Sequence, residues 1–221
     1  MMNVNVLVIG ASGKTGCKIV RLLAESNQHL VRAMIRKTKL QKKMEELGAK
    51  PIIADLEQNF DYAVEDVNAI IFAAGSGSKT GPEKTIAVDL EGAKKAVDIA
   101  KEQKIERFIM LSSIGADQPE NGPASIRHYL EAKKEADLYL QNSGLNYTIV
   151  RPGRLTDENG SGKIQVLNSH HKVDGTISRE NVAKVLVESL TIKETYEHTF
   201  EILDGDEPIE EALKNLPAQH E

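Results

Sequence analysis

Residues Val6–Gly16 read Val-Leu-Val-Ile-Gly-Ala-Ser-Gly-Lys-Thr-Gly, and no other stretch constrains the fold as tightly. An apolar run ends at Gly10, glycines recur at Gly13 and Gly16, and a helix-like segment from Cys17 to Ala24 follows. This is the layout of a buried first strand that turns sharply into a helix across a gap too tight for side chains. The first N–H groups of such a helix have no intrahelical acceptors and carry positive partial charge, which favours a phosphate. Gly10 permits the turn, Gly13 lets a pyrophosphate approach the backbone, and Gly16 lets helix and strand pack closely. Gly13-Lys14-Thr15 also looks like the end of a P-loop, but the glycine that loop needs earlier is replaced by Val8. A ligand-free glycine turn is the plainer alternative. The position directly between an N-terminal strand and a helix speaks against it.

The chain has 221 residues, enough for one domain with a small lobe and a core that needs no staples. Net charge is −5 with both signs interspersed and no basic stripe, so nucleic acid is not an expected partner. No signal-like N-terminus and no apolar run near about 18 residues is present, so a cytoplasmic protein without a membrane partner is expected. Cys17 is the single cysteine, which excludes an intrachain disulfide and reads as a small buried hydrophobe.

Short apolar runs alternate with helical patterns. Expected strands are Val4–Ile9, Leu30–Ile35, Pro51–Ala54, Ala69–Ala74, Arg107–Leu111, Tyr147–Val150 and His198–Leu203. Expected helices are Lys14–Ser26, Leu40–Leu47, Thr85–Gln103, Ser125–Asn142 and Arg179–Leu190. The strands are continuously apolar, as in a parallel sheet with helices on both faces. The expected fold is therefore an α/β doubly wound parallel sheet in a single domain over residues 1–221. Residues 152–178 and 191–221 are expected to add a small cap on the substrate side. Pro152–His171 reads as loop with one short apolar run, Ile164–Leu167.

Such sheets bind ligands beyond the carboxyl ends of their strands. Those ends carry Gly10–Gly16, Arg36 and Lys37, Asp55 and Leu56, Ala74 to Ser76, Ser112 and Ser113, and Arg151 to Arg154. Arg36 and Lys37 stand where an NAD-selective site has a carboxylate for the ribose 2′-hydroxyl. Their charge suits a 2′-phosphate instead. Two solvated cations in a basic neighbourhood are the alternative. Tyr129 and Lys133 are four apart on an expected helix and share a face. An ammonium beside a phenol favours phenolate, and a serine after the fifth strand could orient a carbonyl, so the trio could move a proton while hydride moves at carbon. Spacing alone fits equally a packed tyrosine and a surface lysine. His170 and His171 have no partners at metal-ligand spacing, and Asp204 and Asp206 read as a surface turn, so no metal is expected.

The chain resembles the short-chain dehydrogenase/reductase superfamily, in its compact atypical, NAD(P)H-binding epimerase-like branch. The resemblance rests on Gly-Ala-Ser-Gly-Lys-Thr-Gly at 10–16, Ala-Asp-Leu at 54–56, Val-Asp-Leu-Glu-Gly at 88–92 and Leu-Ser-Ser at 111–113. It continues with Tyr-Leu-Glu-Ala-Lys at 129–133, Gly-Leu-Asn-Tyr-Thr-Ile-Val-Arg-Pro-Gly at 144–153 and Ile-Ser-Arg-Glu-Asn-Val-Ala at 177–183. It implies a Rossmann-type fold and an NADP(H) cofactor. Gly10, Ser12, Gly13, Lys14, Thr15 and Gly16 would hold the phosphates, Arg36 with Lys37 the 2′-phosphate, and Asp55 and Leu56 the adenine. Ala74 and Gly75 would pass beneath the ribose, and Pro152 and Gly153 would edge the nicotinamide. Tyr129 would be the acid/base, Lys133 would hold the nicotinamide ribose, and Ser113 rather than Ser112 would complete the catalytic set. Asp89 stands where the superfamily has asparagine. The C-terminal part is too small for the usual nucleotide-sugar pocket. The function implied is NADPH-dependent reduction of a small carbonyl, quinone or flavin-like acceptor by a monomer or homodimer. The alternatives are an NADP(H) sensor without turnover or an epimerase/dehydratase.

Overall fold

The computed structural model describes residues 4–77, 80–167 and 175–217. His170 and His171, and parts of the two expected cap segments, lie outside the described residues. In chain order the strands are β1 (Val4–Ile9), β2 (His29–Ile35), β3 (Lys50–Ile53), β4 (Ala69–Phe72), β5 (Arg107–Leu111), β6 (Tyr147–Pro152), β7 (Arg154–Thr156), β8 (Lys163–Leu167), β9 (Thr176–Ser178), β10 (His198–Asp204) and β11 (Glu207–Pro208). The helices are α1 (Lys14–Glu25), α2 (Gln41–Glu46), α3 (Pro82–Thr85), α4 (Gly92–Glu102), α5 (Arg127–Gln141), α6 (Arg179–Glu188) and α7 (Ile209–Lys214).

The main sheet runs β11-β8-β10-β6-β5-β4-β1-β2-β3, parallel from β3 through β10 and antiparallel at β8 and β11. Alternate residues of one strand serve two cores. Val6 and Val8 of β1 face α1 and α6, with Ile19, Val20, Leu23, Val182 and Leu186. Leu7 and Ile9 face α4 and α5, with Val97, Ala132, Ala136 and Leu140. Burial on both faces is why these strands lack polar alternation. The chain order reverses between β1 and β4, and the crevice above that point is where such sheets take ligands.

The expected fold is the observed one, with differences of local physical origin. Pro152–His171 is not simply loop. Hydrogen bonds from β10 make Lys163–Leu167 an antiparallel strand of the main sheet, and β7 pairs with β9 in a separate two-stranded sheet. The expected helix over Thr85–Gln103 starts earlier, at Pro82, and passes through a π-helical segment, Ile86–Glu91, before α4. Helix α7, with Ile209 and Leu213 buried, is an element the sequence pattern does not announce. Cys17 is half-buried against the α1 side of the core.

The glycines of the first turn differ in what they demand. Gly10 has φ +86°, and a Cβ there would lie 2.6 Å from the Ala74 nitrogen. A Cβ on Gly16 would lie 2.1 Å from the Gly10 carbonyl oxygen, in the heart of the contact between α1 and β1. Gly13 is extended backbone, and a Cβ there would meet only the Gly10 oxygen, at 3.3 Å. Gly16→Val is therefore expected to cost about 3 kcal/mol or more of stability, read as a lowered Tm by circular dichroism. Gly13→Val is expected to melt like the wild type, and equal losses in the two variants would contradict this division.

Candidate functional site

The turn after β1 opens on a cavity of about 300 Å³ at the carboxyl ends of β1 to β4. Of the residues picked from the sequence, Gly10, Ser12, Gly13, Arg36, Asp55, Leu56, Ala74 and Gly75 line it. Lys37 is exposed beside it and does not line it, because the chain turns into a 3₁₀ helix at Thr38. Thr15 and Gly16 are buried beneath the loop, in the first turn of α1. No side chain caps α1, whose N-cap residue Gly13 lines the cavity. Ser76, another residue picked at a strand end, and Val88, which opens the Val-Asp-Leu-Glu-Gly stretch, also line it, as do Met34, Thr80 and Lys84. Lys84 is ion-paired with Glu57, which ties the segment after β4 to the turn after β3 at the cavity rim.

Lys14 does not line the cavity and pairs with Asp157, which also takes Arg179 at 2.6 Å. The glycine turn is thereby linked to the chain after β7 and to the start of α6.

Tyr129, Lys133, Ser113, Pro152 and Gly153 do not line this cavity; they stand on α5 and at the ends of β5 and β6. Lys133 is 3 % exposed; its ammonium donates to the Leu111 carbonyl at 3.0 Å and stands 3.3 Å from Asp89 Oδ1. Asp89 is fully buried in the π-helical segment, and its Oδ2 accepts from the Ser76 N–H at 2.9 Å. A π turn adds a residue to the helix and commonly marks a functional position. Lys133 also lies over the Tyr129 ring, 5.8 Å from its centroid. Burial disfavours the ammonium, but Tyr129, Asp89 and Asp137 outweigh it and hold the Lys133 pKa above its ordinary value.

Tyr129 corrects one expectation. Lys133 was expected to bring its pKa down. Burial instead pushes it up, and Asp89 and Asp137 add to the rise against the opposing pull of Lys133 and a Ser113 hydrogen bond. Desolvation of a phenolate and the two carboxylates outweigh one compensated cation.

Ser112 and Ser113 face different neighbours. Ser112 is buried and donates to Asp137 Oδ2 at 2.8 Å, whereas the half-buried Ser113 serves Tyr129. The same Asp137 oxygen accepts from Arg151 Nε at 2.9 Å. Burial pushes the Asp137 carboxyl up despite Arg151 beside it. Pro152 accepts from the Ile114 N–H at 3.0 Å, and Gly153 donates to Ile202 at 3.0 Å. A Cβ on Gly153 would sit 2.3 Å from Leu203, so this corner admits only glycine without rearrangement. The Asp137–Arg151–Ser112 cluster escapes sequence reading, because three isolated polar residues in apolar context announce no pairing. Among the described residues no cluster of His, Cys, Asp and Glu could hold a metal, and no helix is long and apolar enough to cross a membrane. Asp204 is not a free turn residue: it accepts from the Ser178 N–H and from Asn181. Asp137→Ala would leave Arg151 buried without its carboxylate. It is expected to cost about 3–5 kcal/mol in urea unfolding, and a loss under about 1 kcal/mol would deny the pair its structural role.

Comparison with known proteins agrees with this geometry. A model of the family described as NAD(P)H-binding matches residues 10–193. A Bacillus subtilis protein named as an uncharacterized sugar epimerase, YhfK, is 42% identical over 96% of this chain and 99% of its own. The solved structure of a putative NAD-dependent epimerase/dehydratase from Bacillus halodurans is 41% identical, with TM-score 0.94, over 97% of this chain and all of that one. The oxidoreductase YlbE from Lactococcus lactis is 28% identical, with TM-score 0.85, over 98% and 99%. The chain belongs to the NAD(P)H-binding family of Rossmann-fold proteins, whose members include oxidoreductases and epimerase-like proteins.

Proposed function

We propose that this protein is an NADPH-dependent reductase of a small carbonyl, quinone or flavin-like acceptor. One link carries the reading. Ser76 lines the cavity and its N–H lies on Asp89, which in turn holds Lys133 beside Tyr129. The nucleotide cavity and the proton-moving group thus meet at one loop. The residues fit a dinucleotide phosphate: α1 is uncapped, and the Gly13 surface is open where a ligand would lie. Gly10, Ser12, Gly13 and the first turn of α1 would hold the pyrophosphate, Asp55 and Leu56 the adenine, and Ala74 and Gly75 the underside of the ribose. Arg36, exposed at the cavity wall, would take a 2′-phosphate. The bound nicotinamide supplies hydride. Tyr129 then gives its phenolic proton to the acceptor oxygen, Lys133 orients the ribose, Ser113 holds the acceptor, and Pro152 and Gly153 close the far edge. The name of the Lactococcus lactis relative supports an oxidoreductase. The epimerase names of two relatives mark the competing reading, which a nucleotide-sugar isomerisation assay tests.

A charge-assisted contact from Arg36 is worth about 1.5–3 kcal/mol, or roughly 10- to 150-fold in affinity. NADPH should bind more tightly than NADH by that factor in fluorescence titrations, and Arg36→Ala should erase the difference. Equal wild-type affinities would refute the choice of NADPH.

Tyr129→Phe removes one oxygen and should leave NADPH affinity unchanged while turnover falls about 10²–10⁴-fold. Screening quinones, flavins, aldehydes and diketones for NADPH oxidation supplies the substrate for that measurement. Turnover within about threefold of wild type would remove Tyr129 as the acid, and no oxidation of NADPH across the screen would favour a sensor.

A further inference from the structure

We propose that the acceptor at this site carries a carboxylate and that Arg154 receives it. The proposal rests on the reductase reading and names the chemical class of its substrate. Of the eight arginines, six have side-chain partners among the described residues. Arg21 pairs with Glu25, Arg151 with Asp137 and Arg179 with Asp157, while Arg32, Arg107 and Arg127 donate to backbone carbonyls. The two with none among those residues are Arg36 and Arg154, and both are exposed. Arg36 directly follows β2 and lines the nucleotide cavity, where a 2′-phosphate accounts for it. Arg154 follows the end of β6 and stands one residue past the Pro152–Gly153 corner read as the nicotinamide edge.

The fold fixes the Arg154 backbone and leaves its side chain exposed. Gly153 donates to Ile202 of β10, and Arg154 donates its own N–H to the Gly175 carbonyl, each at 3.0 Å. A Cβ on Gly153 or Gly175 would stand 2.3 or 2.5 Å from Leu203, so the two backbone segments pack closely without side chains. The next residue, Leu155, packs on the core layer that α1 and α6 share. Successive side chains of a strand point to opposite faces, so Arg154 leaves β7 on the face away from that layer.

The other cations of this corner are compensated: Lys133 has Asp89 and Arg151 has Asp137. Arg154 brings one positive charge and a planar fork of donors, and a carboxylate matches both. A phosphate dianion would call for a second cation, and Arg151 is already engaged. A carboxylate held by Arg154 would anchor one end of the acceptor while its carbonyl or quinone oxygen turns to Tyr129. Such an anchor acts through orientation of the reacting group.

The test is a pair of quinones of one shape and different charge, anthraquinone-2-carboxylate and anthraquinone-2-carboxamide. Each is titrated calorimetrically into protein saturated with NADP⁺. The oxidised cofactor occupies the nucleotide cavity, Arg36 included, and keeps hydride transfer out of the measurement. The acid is expected to bind about tenfold or more tightly than the amide. Arg154→Ala should erase the difference, and Arg154→Lys, which keeps the charge and loses the fork, should retain only part of it. NADPH affinity should be the same in wild type and Arg154→Ala. Equal affinity for acid and amide, a preference that survives Arg154→Ala, failure of the acid to bind, or NADPH affinity that falls with the guanidinium would each overturn the proposal. The reductase reading is judged apart. Acid binding through Arg154 without NADPH oxidation strikes out the reductase and keeps the acidic ligand. NADPH oxidation by acid and amide alike strikes out the acidic acceptor and keeps the reductase.

Discussion

The contact between Gly16 and the Gly10 carbonyl governs the rest of the molecule. With no side chain on either residue, α1 rests directly on the end of β1, and a Cβ on Gly16 would be 2.1 Å from that oxygen. The closeness brings the uncapped start of α1 to the carboxyl edge of the sheet at the reversal between β1 and β4. A longer spacing would move the helix dipole away from any bound phosphate, and its influence fades within the first turn. It would also loosen the core layer in which Ile19, Val20 and Leu23 meet Val6 and Val8. One packing distance thus serves the core and sets the ligand edge.

Charge is handled differently at the two ends of the central strands. At the carboxyl end, Lys133 pairs with Asp89 and Arg151 with Asp137, all buried. Such pairs are poor stabilisers, because desolvation offsets most of the attraction. Their value lies in geometry: each fixes a polar group that apolar packing would leave free to turn. At the amino end, Arg107 is buried too, but its guanidinium donates to Thr148, Thr195 and the Ser189 carbonyl and stacks on Tyr196, 4.3 Å from the ring centroid. Burial lowers its pKa to about 10, which still leaves it charged at neutral pH. This cluster joins β5 and β6 to the chain after α6, far from the ligand edge.

The parallel sheet was legible because its signals are local. Runs such as Val4–Ile9 and Arg107–Leu111 are apolar throughout and bounded by turns, and β1 and β5 carry the expected limits. The glycine turn was legible because Gly10 and Gly16 each have a steric task in the fold. What was not legible depends on partners distant in sequence. Lys163–Leu167 is a strand because β10 pairs with it, and β7 and β9 exist only as each other's partners. The π-helical segment leaves no periodicity of its own in so short a stretch. The sequence brought Tyr129 and Lys133 onto one face, but the sign of the net effect on Tyr129 depends on burial and on Asp137, which spacing does not reveal. Lys37 shares its charge with Arg36, and only the turn at Thr38 separates their positions at the cavity.

The ion pairs around α1 and α6 follow from this division between packing and registration. Helices α1 and α6 bury Ile19, Leu23, Val182 and Leu186 in one layer, and that apolar contact supplies the adhesion. Of the charged pairs on its rim, Lys18 with Glu180 is half-buried and Lys14 with Asp157 is exposed, where ion pairs contribute little to stability. Their effect is to set register. Asp157 draws Arg179 and Lys14 to one carboxylate, so the first residue of α6 and the first residue of α1 answer to the same anchor. The start of α6 is itself pinned by the Ser178 side chain, which accepts from the Asn181 N–H at 3.1 Å, and Asn181 reaches Asp204 on β10. A chain of polar contacts therefore runs from the C-terminal strand to the glycine turn. Because the Lys14 end of this chain is exposed, that link can break without disturbing the apolar layer beneath.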